Sequence, residues 1–273
     1  MTLSEEQWQH HIEFVERALA GQEPTTTRFA DELGLWEEER ANAQQGLIDE
    51  LWDGARDVPR GRNAVIAGGM AGAGKTTVLD GPAGLTRSEY LIVNPDDIKL
   101  AMAARGMIPE IDGLSPMEAS PIVHDEASEL AYTLAAMAYE EQINLLWDIT
   151  MGDTKKVRLR IEWLRDAEYA AIDAVFVDVP IQTGAERAMK RYREDQEAYA
   201  KGEATDLHQL YGGRYVPASV FADSQPLLAR YSSRNHEVFC QVRDDFHSTV
   251  EYDNSGTEAI LRRVTGTRWA QSA

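Results

Sequence analysis

Gly69-Met70-Ala71-Gly72-Ala73-Gly74-Lys75-Thr76 decides how this chain is read. The octet fits GxxxxGK[ST] without a mismatch, follows the apolar run 64–67 and opens a helical stretch, which is the strand-to-helix setting the pattern needs. Its glycines let backbone amides turn inward onto phosphate oxygens, and the start of the next helix adds its positive dipole end. Lys75 reaches the β- and γ-phosphates of a nucleotide, and Thr76 is placed to ligate magnesium. A glycine-rich turn without a ligand leaves Lys-Thr at this place without a reason. The expected nucleotide contacts are Gly69, Met70, Ala71, Gly72, Ala73, Gly74, Lys75, Thr76 and Thr77. The loop alone does not separate a kinase from another nucleoside triphosphatase.

Outward from this loop, short apolar runs at 64–67, 90–93, 144–147, 174–179 and 237–242 alternate with longer helical stretches, among them 120–141 and 153–169. That alternation predicts a three-layer α/β fold, with a central mostly parallel sheet of about five strands covered by helices on both faces. Chemistry in such sheets collects beyond the C-terminal ends of the strands. The second run delivers Asn94-Pro95-Asp96-Asp97-Ile98-Lys99. With a phosphate loop nearby, Asp96 is placed to take a proton from an attacking hydroxyl, and Asp97 suits a solvent-facing helix start. The third run closes on Asp148-Ile149-Thr150. Asp148 can hold the water shell of magnesium, and Thr150 can touch phosphate or substrate; a strand-end turn is the other reading of Asp148.

Upstream, residues 1–60 carry 14 acidic residues and 5 arginines but no lysine, about half of the chain's formal charge of -19. Ser4 begins a capping box with Gln7, and Trp8, Ile12, Val15 and Leu19 recur at helical spacing; a second helix is expected over 35–52. The turn-rich stretch from Asp57 places a boundary near residue 60, giving an acidic helical extension over 1–60 and a main domain over 61–273. The acidic excess argues against nucleic acid as a partner. No apolar run is long enough to span a bilayer and the N-terminus is acidic, so no membrane association and a cytoplasmic location are expected. Cys240, the single cysteine, excludes an intrachain disulfide and is expected as a buried strand residue.

The order of these motifs resembles the zeta toxin family of P-loop kinases. The resemblance rests on GGMAGAGKTT, VNPDDIK, His124-Asp125-Glu126 opening a helix, INLLWDIT, and DAVFVDVP before a basic helix, and it spans roughly 63–217. It implies the P-loop kinase-type version of the three-layer fold and an activity in which ATP, with magnesium, phosphorylates an alcohol group. The acceptor implied is a UDP-activated sugar, best represented by UDP-N-acetylglucosamine. By motif position Asp96 corresponds to the catalytic base and Lys99 to the basic residue after it, while His124 and Glu126, with Glu129, fall where substrate contacts lie. Arg191 corresponds to a phosphate-clamping arginine, Arg187 shares its helix face as a substrate contact, and Arg214, three residues before Pro217, corresponds to the second arginine of the clamp. Arg193 is expected on a solvated face. Stretch 196–213 is longer than the family pattern.

The resemblance also implies a separate antitoxin as partner, or inhibition in cis by residues 1–60; plain cover of the fold by two amphipathic helices is the alternative. Other acceptors of this kinase group, an antibiotic or a nucleoside, stay open, as does a nucleotide-dependent switch. His10, His11, His208, His236 and His247 show no metal-ligand spacing.

Overall fold

The computed structural model describes residues 3–269, so the outermost ends of the segments 1–60 and 61–273 lie outside the described residues. In chain order the elements begin with α1 (Glu5–Leu19), α2 (Thr25–Arg28), α3 (Glu38–Asp53) and β1 (Asn63–Gly68). Next come α4 (Lys75–Asp80), β2 (Leu91–Val93), α5 (Pro95–Ala104), α6 (Pro116–Ala119), α7 (His124–Glu141), β3 (Leu145–Asp148), α8 (Thr154–Asp166) and β4 (Ala171–Asp178). The remainder comprises α9 (Ile181–Lys201), α10 (Leu207–Tyr211), α11 (Ala218–Ala222), α12 (Arg234–Val242), β5 (Ser248–Asp253) and β6 (Ile260–Thr265).

Two compact units share the chain. A helical unit joins the residues through Gly54 to Pro95–Leu134 and Met189–Tyr215. A sheet unit joins Ala55–Asn94, Ala135–Ala188 and the residues from Val216 onward. Helices α7 and α9 each have one end in either unit.

In the sheet unit the strand order is β2-β3-β1-β4-β5-β6. All run parallel except β6, which pairs antiparallel with β5. Strand β4 shows why helices cover both faces. Val175 and Val177 enter a core with Val78 and Leu79 of α4, whereas Phe176 points the other way and stacks on Phe239 of α12, with ring centroids 4.6 Å apart. Side chains alternate across a strand, so burial on both faces needs the continuous apolar run seen in the sequence.

Stretch 237–242, expected as a strand, is instead the body of α12. Ser233 caps that helix by accepting from the His236 amide, and Val238, Phe239 and Val242 are buried at helical spacing. Cys240 is therefore a half-buried helix residue rather than a buried strand residue. The strand beside β4 is β5, and with β6 the sheet has six strands where about five were expected.

In the helical unit, α1 starts at the expected capping box: Ser4 accepts from the Gln7 amide and the Gln7 side chain accepts from the Ser4 amide. Trp8, Ile12, Val15 and Leu19 share one face and pack with Leu114, Met189, Tyr192 and Tyr215. Fully burying such a side chain contributes roughly 1.5–3 kcal/mol. Helix α3 buries Gln44, Leu47 and Ile48.

Candidate active site

In the sheet unit, the chain leaves β1 toward β2 on one side and leaves β3 toward β4 on the other, which opens a crevice beyond the C-terminal ends of β1 and β3. The phosphate loop follows β1 there. Asp148 ends β3 there, in register with Ala67. Lys75 Nζ donates to Gly69 O at 3.0 Å and lies 3.4 Å from Asp148 Oδ1. Asn94 Nδ2 donates to the other carboxylate oxygen, Asp148 Oδ2, at 3.4 Å. Asp148 Oδ1 is buried and accepts no hydrogen bond among the described residues. A buried carboxylate oxygen without a donor is costly, and a hydrated cation would supply one. Thr76 and Thr77 lie exposed on the first turn of α4. Thr76 and Asp148 thus fit a magnesium ion as a hydroxyl and a carboxylate, the hard oxygen donors this cation prefers.

The loop is braced from outside. Gly72 has φ +75 and a Cβ there would overlap Gly184 O, so only glycine fits. Asn254, just past β5, donates from Nδ2 to Ala73 O at 2.8 Å. The Asn254 carbonyl in turn accepts from Arg187 Nη1 at 2.7 Å, and Arg187 Nη2 donates to Gly256 O at 3.0 Å. Arg187, expected as a substrate contact, is committed to these carbonyls. Neither that commitment nor Asn254 is visible in local sequence, because the partners lie 67 and 181 residues away along the chain.

Thr150 is exposed, and its carbonyl accepts from the buried Asn235 Nδ2 at 2.7 Å. The next residue, Met151, takes a left-handed backbone with φ 55, which costs roughly 1–2 kcal/mol for a residue with a Cβ. Its side chain packs on Gly68, where a Cβ would overlap the Met151 sulfur. The loop after β3 is therefore held on two sides, by Asn235 and by Gly68.

In the helical unit, Asp96 lies in the first turn of α5 among cations. Arg214 Nη1 approaches Asp96 Oδ2 at 2.7 Å, and Lys99 Nζ approaches Asp96 Oδ1 at 3.3 Å. Lys99 is 5% exposed. Burial holds its ammonium below the usual lysine range, Asp96 opposes that shift, and Arg214 adds to it. Arg191 keeps an exposed surface, yet its crowded surroundings and then the like charge of Arg214 lower its pKa, against Asp195 and Asp96. Asp96, Lys99, Arg191 and Arg214 are thus brought together, and Asp97 faces solvent as expected.

The first turn of α7 behaves differently. His124 is exposed, but Glu126 is fully buried and accepts from Arg40 Nε and Nη2 and from Gln44 Nε2, each at 2.7 Å. Glu126, expected to contact substrate, is committed to α3. Burial and then the charge of Glu126 push the Glu129 carboxyl up, against a hydrogen bond from Trp36. Arg193, expected on a solvated face, makes paired contacts of 2.7 and 2.6 Å to Glu5 and lies over the Trp8 ring. Among the described residues no group of three or more His, Cys, Asp or Glu side chains is arranged to hold a metal ion, and no helix is long and apolar enough to cross a membrane.

Comparison with known proteins agrees with this fold. The family model described as Zeta toxin matches residues 50–258, more than half of the chain. No curated protein matches. Among solved structures, AvrRxo1-ORF1:-ORF2 with ATP aligns at TM-score 0.66 and 14% identity, covering 90% of this chain and 77% of that one. The same pair with sulphate ions aligns at TM-score 0.63 and 15% identity, covering 86% and 70%. The PezAT chromosomal toxin-antitoxin system of Streptococcus pneumoniae aligns at TM-score 0.55 and 13% identity, covering 87% and 86%. At these identities the likeness is one of fold: the α/β fold of P-loop kinase-like toxins.

Proposed function

The chain belongs to the zeta toxin family and is a phosphotransferase, and on that premise we propose that it moves the γ-phosphate of ATP to a hydroxyl of a UDP-activated sugar such as UDP-N-acetylglucosamine. The observation that carries this reading is the placement of Asp96 among Lys99, Arg191 and Arg214: a carboxylate within a cationic surround suits a base working beside transferring phosphate. The sheet unit supplies the donor set. Lys75 meets the β- and γ-phosphates, and the backbone of Gly69 to Gly74 cradles them. Thr76 and Asp148 would hold magnesium, which when bound offsets the charge of the phosphate oxygens.

On this reading the acceptor oxygen forms its bond to the γ-phosphorus as the bond to the leaving ADP oxygen breaks. The hydroxyl proton passes to an Asp96 carboxylate oxygen. Arg191 and Arg214 take the negative charge that gathers on the transferring group, a task suited to arginine because it stays charged and offers a planar fork. Thr150 is the phosphate or sugar contact of the loop after β3, and His124 is the exposed polar group at the start of α7. The segments 1–60 and 61–273 are read as an acidic helical extension and the kinase domain, in a cytoplasmic protein controlled by an antitoxin-like partner. An antibiotic or nucleoside as acceptor is the second reading of the same site.

Mass spectrometry of a small-metabolite extract incubated with the protein and magnesium-ATP tests the acceptor. A gain of one phosphate on UDP-N-acetylglucosamine is the expected result, and phosphate found solely on another compound removes the UDP-sugar.

A further inference from the structure

We infer that α1, the first helix of the acidic extension, is a built-in positioning element for the two clamp arginines, acting through Tyr192 and Tyr215. The inference rests on the clamp reading of Arg191 and Arg214 given above. Each arginine is followed in sequence by a buried tyrosine: Tyr192 is 1% exposed and Tyr215 6%. The two rings, 23 residues apart in the chain, pack on each other with centroids at 5.4 Å. Trp8 of α1 closes this pair edge-on, 5.7 Å from the Tyr192 ring. Both hydroxyls are anchored as well. Tyr215 donates to Glu16 of α1 at 2.7 Å, and Tyr192 donates at 2.6 Å to Glu118, which His11 of α1 also approaches at 2.7 Å.

The backbone beside the arginines is fixed in the same way. Gln196 donates to Glu118 at 3.1 Å and accepts from the Gly213 amide at 3.1 Å, so one side chain spans from the Arg191 helix to the residue before Arg214. Gly213 lies so close to Tyr192 O that a Cβ there would overlap it. Glu5 of α1 adds paired contacts to Arg193. The polar contacts of α1 described here thus fall within two residues of a clamp arginine or on Glu118, which holds Tyr192. A helix that merely covers apolar surface needs the Trp8, Ile12, Val15 and Leu19 stripe and no such polar set. An inhibitory helix gives no reason for ordering the residues that flank both arginines.

The mechanism is geometric. Rings packed at fixed separation hold the two arginine backbones at one spacing, so both guanidiniums can meet a single transferring phosphate without a search. Displacing a positioned catalytic group by about 1 Å costs on the order of a hundredfold in rate. Trp8, His11 and Glu16 touch neither nucleotide nor acceptor in this account, so they are positioning residues.

The test uses full-length Trp8→Ala, Glu16→Ala and Tyr215→Phe, with Trp8→Phe and Glu16→Gln as conservative partners and Arg191→Ala and Arg214→Ala as controls. Turnover of ATP is followed with UDP-N-acetylglucosamine present, and the melting temperature of each protein is recorded. The expected result is kcat lowered about ten- to a hundredfold in Trp8→Ala and Glu16→Ala, with KM for ATP unchanged and most of the loss recovered in the conservative partners. Unchanged or raised kcat in the folded Glu16→Ala and Tyr215→Phe proteins, with the arginine variants impaired, overturns the positioning role alone. Unimpaired arginine variants overturn it together with the clamp reading. Glu16 is exposed and Tyr215→Phe removes one oxygen, so a failure of Trp8→Ala to fold leaves the outcome decided by these two.

Discussion

Arg214 holds Asp96 in an ion pair of 2.7 Å, so the arginine assigned to the transferring phosphate here rests on the carboxylate assigned to deprotonate the acceptor. The pair is partly exposed, at 25% and 39% for the two side chains, and such pairs contribute only about 0–1 kcal/mol to stability. Its contribution to the fold is therefore small. On the proposed reading, phosphate oxygens would offer the same guanidinium a competing partner, and its move to them would release Asp96 for the acceptor proton. Arg214→Ala is expected to lower kcat by about 10²–10³ and to move the melting temperature by no more than a few degrees. Kinetics and calorimetry on one preparation check both halves, and a large loss of stability with intact turnover contradicts the assignment.

Asp148 carries a buried oxygen that no hydrogen bond reaches among the described residues, beside Lys75. If that oxygen belongs to the magnesium shell, Asp148→Asn raises the magnesium concentration for half-maximal turnover about 10–100-fold. The folded state is not expected to suffer comparably. A magnesium titration that overlays the wild type removes Asp148 from the metal site.

Asn254 and Arg187 brace the phosphate loop from its outer side. Replacing Asn254 with Asp turns the donor facing Ala73 O into an acceptor and adds negative charge near the phosphates, so KM for ATP is expected to rise about tenfold or more. Asn254→Ala loses the hydrogen bond alone and is expected to show the smaller rise. Nucleotide titration measures both, and equal affinities across the three proteins would show that the brace is without effect.

The sheet unit carries its own pH signature. His236 lies 3.3 Å from Glu251 and 3.7 Å from Asp178. Burial opposes its charge, but hydrogen bonds with Cys240 and Glu251 and the Asp178 charge outweigh it and push its pKa up to about 10. A raised histidine contributes stability that is complete below its unfolded pKa of about 6.5 and is lost as pH climbs through about 10. Glu251 has the opposite sense: burial raises it, His236 more than offsets that, and its contribution is lost only as pH falls through its lowered pKa. Melting temperature is therefore expected to fall between neutral pH and pH 10, and His236→Gln is expected to flatten that slope. An unchanged slope in the variant places the titrating group elsewhere.

Much of the loop and of the strand ends was legible because the reasons are local. Glycines at Gly72 and Gly74 answer a backbone demand, Lys75 and Thr76 follow at fixed spacing, and Asp96 and Asp148 stand just past apolar strands. The acid in Asp148-Ile149-Thr150 closes β3 as its run predicted. What failed was of two kinds. Stretch 237–242 is a short apolar run, which periodicity does not separate from a buried helix segment, and the Ser233 cap and the placement of Phe239 on Phe176 belong to the helix it forms. Arg187, Arg193 and Glu126 were misjudged because their partners are 67 to 188 residues distant, and helix-face spacing carries no information about such pairings.

The central claim, transfer of phosphate to a sugar nucleotide with Asp96 as base, is tested most directly with ATP labelled at its γ-phosphate, UDP-N-acetylglucosamine, magnesium, and either wild type or Asp96→Asn. The account predicts label on the sugar nucleotide with wild type, at least about a hundredfold less with Asp96→Asn, and similar ATP affinity for both proteins. Label released only as inorganic phosphate, at equal rates from the two proteins, would contradict it.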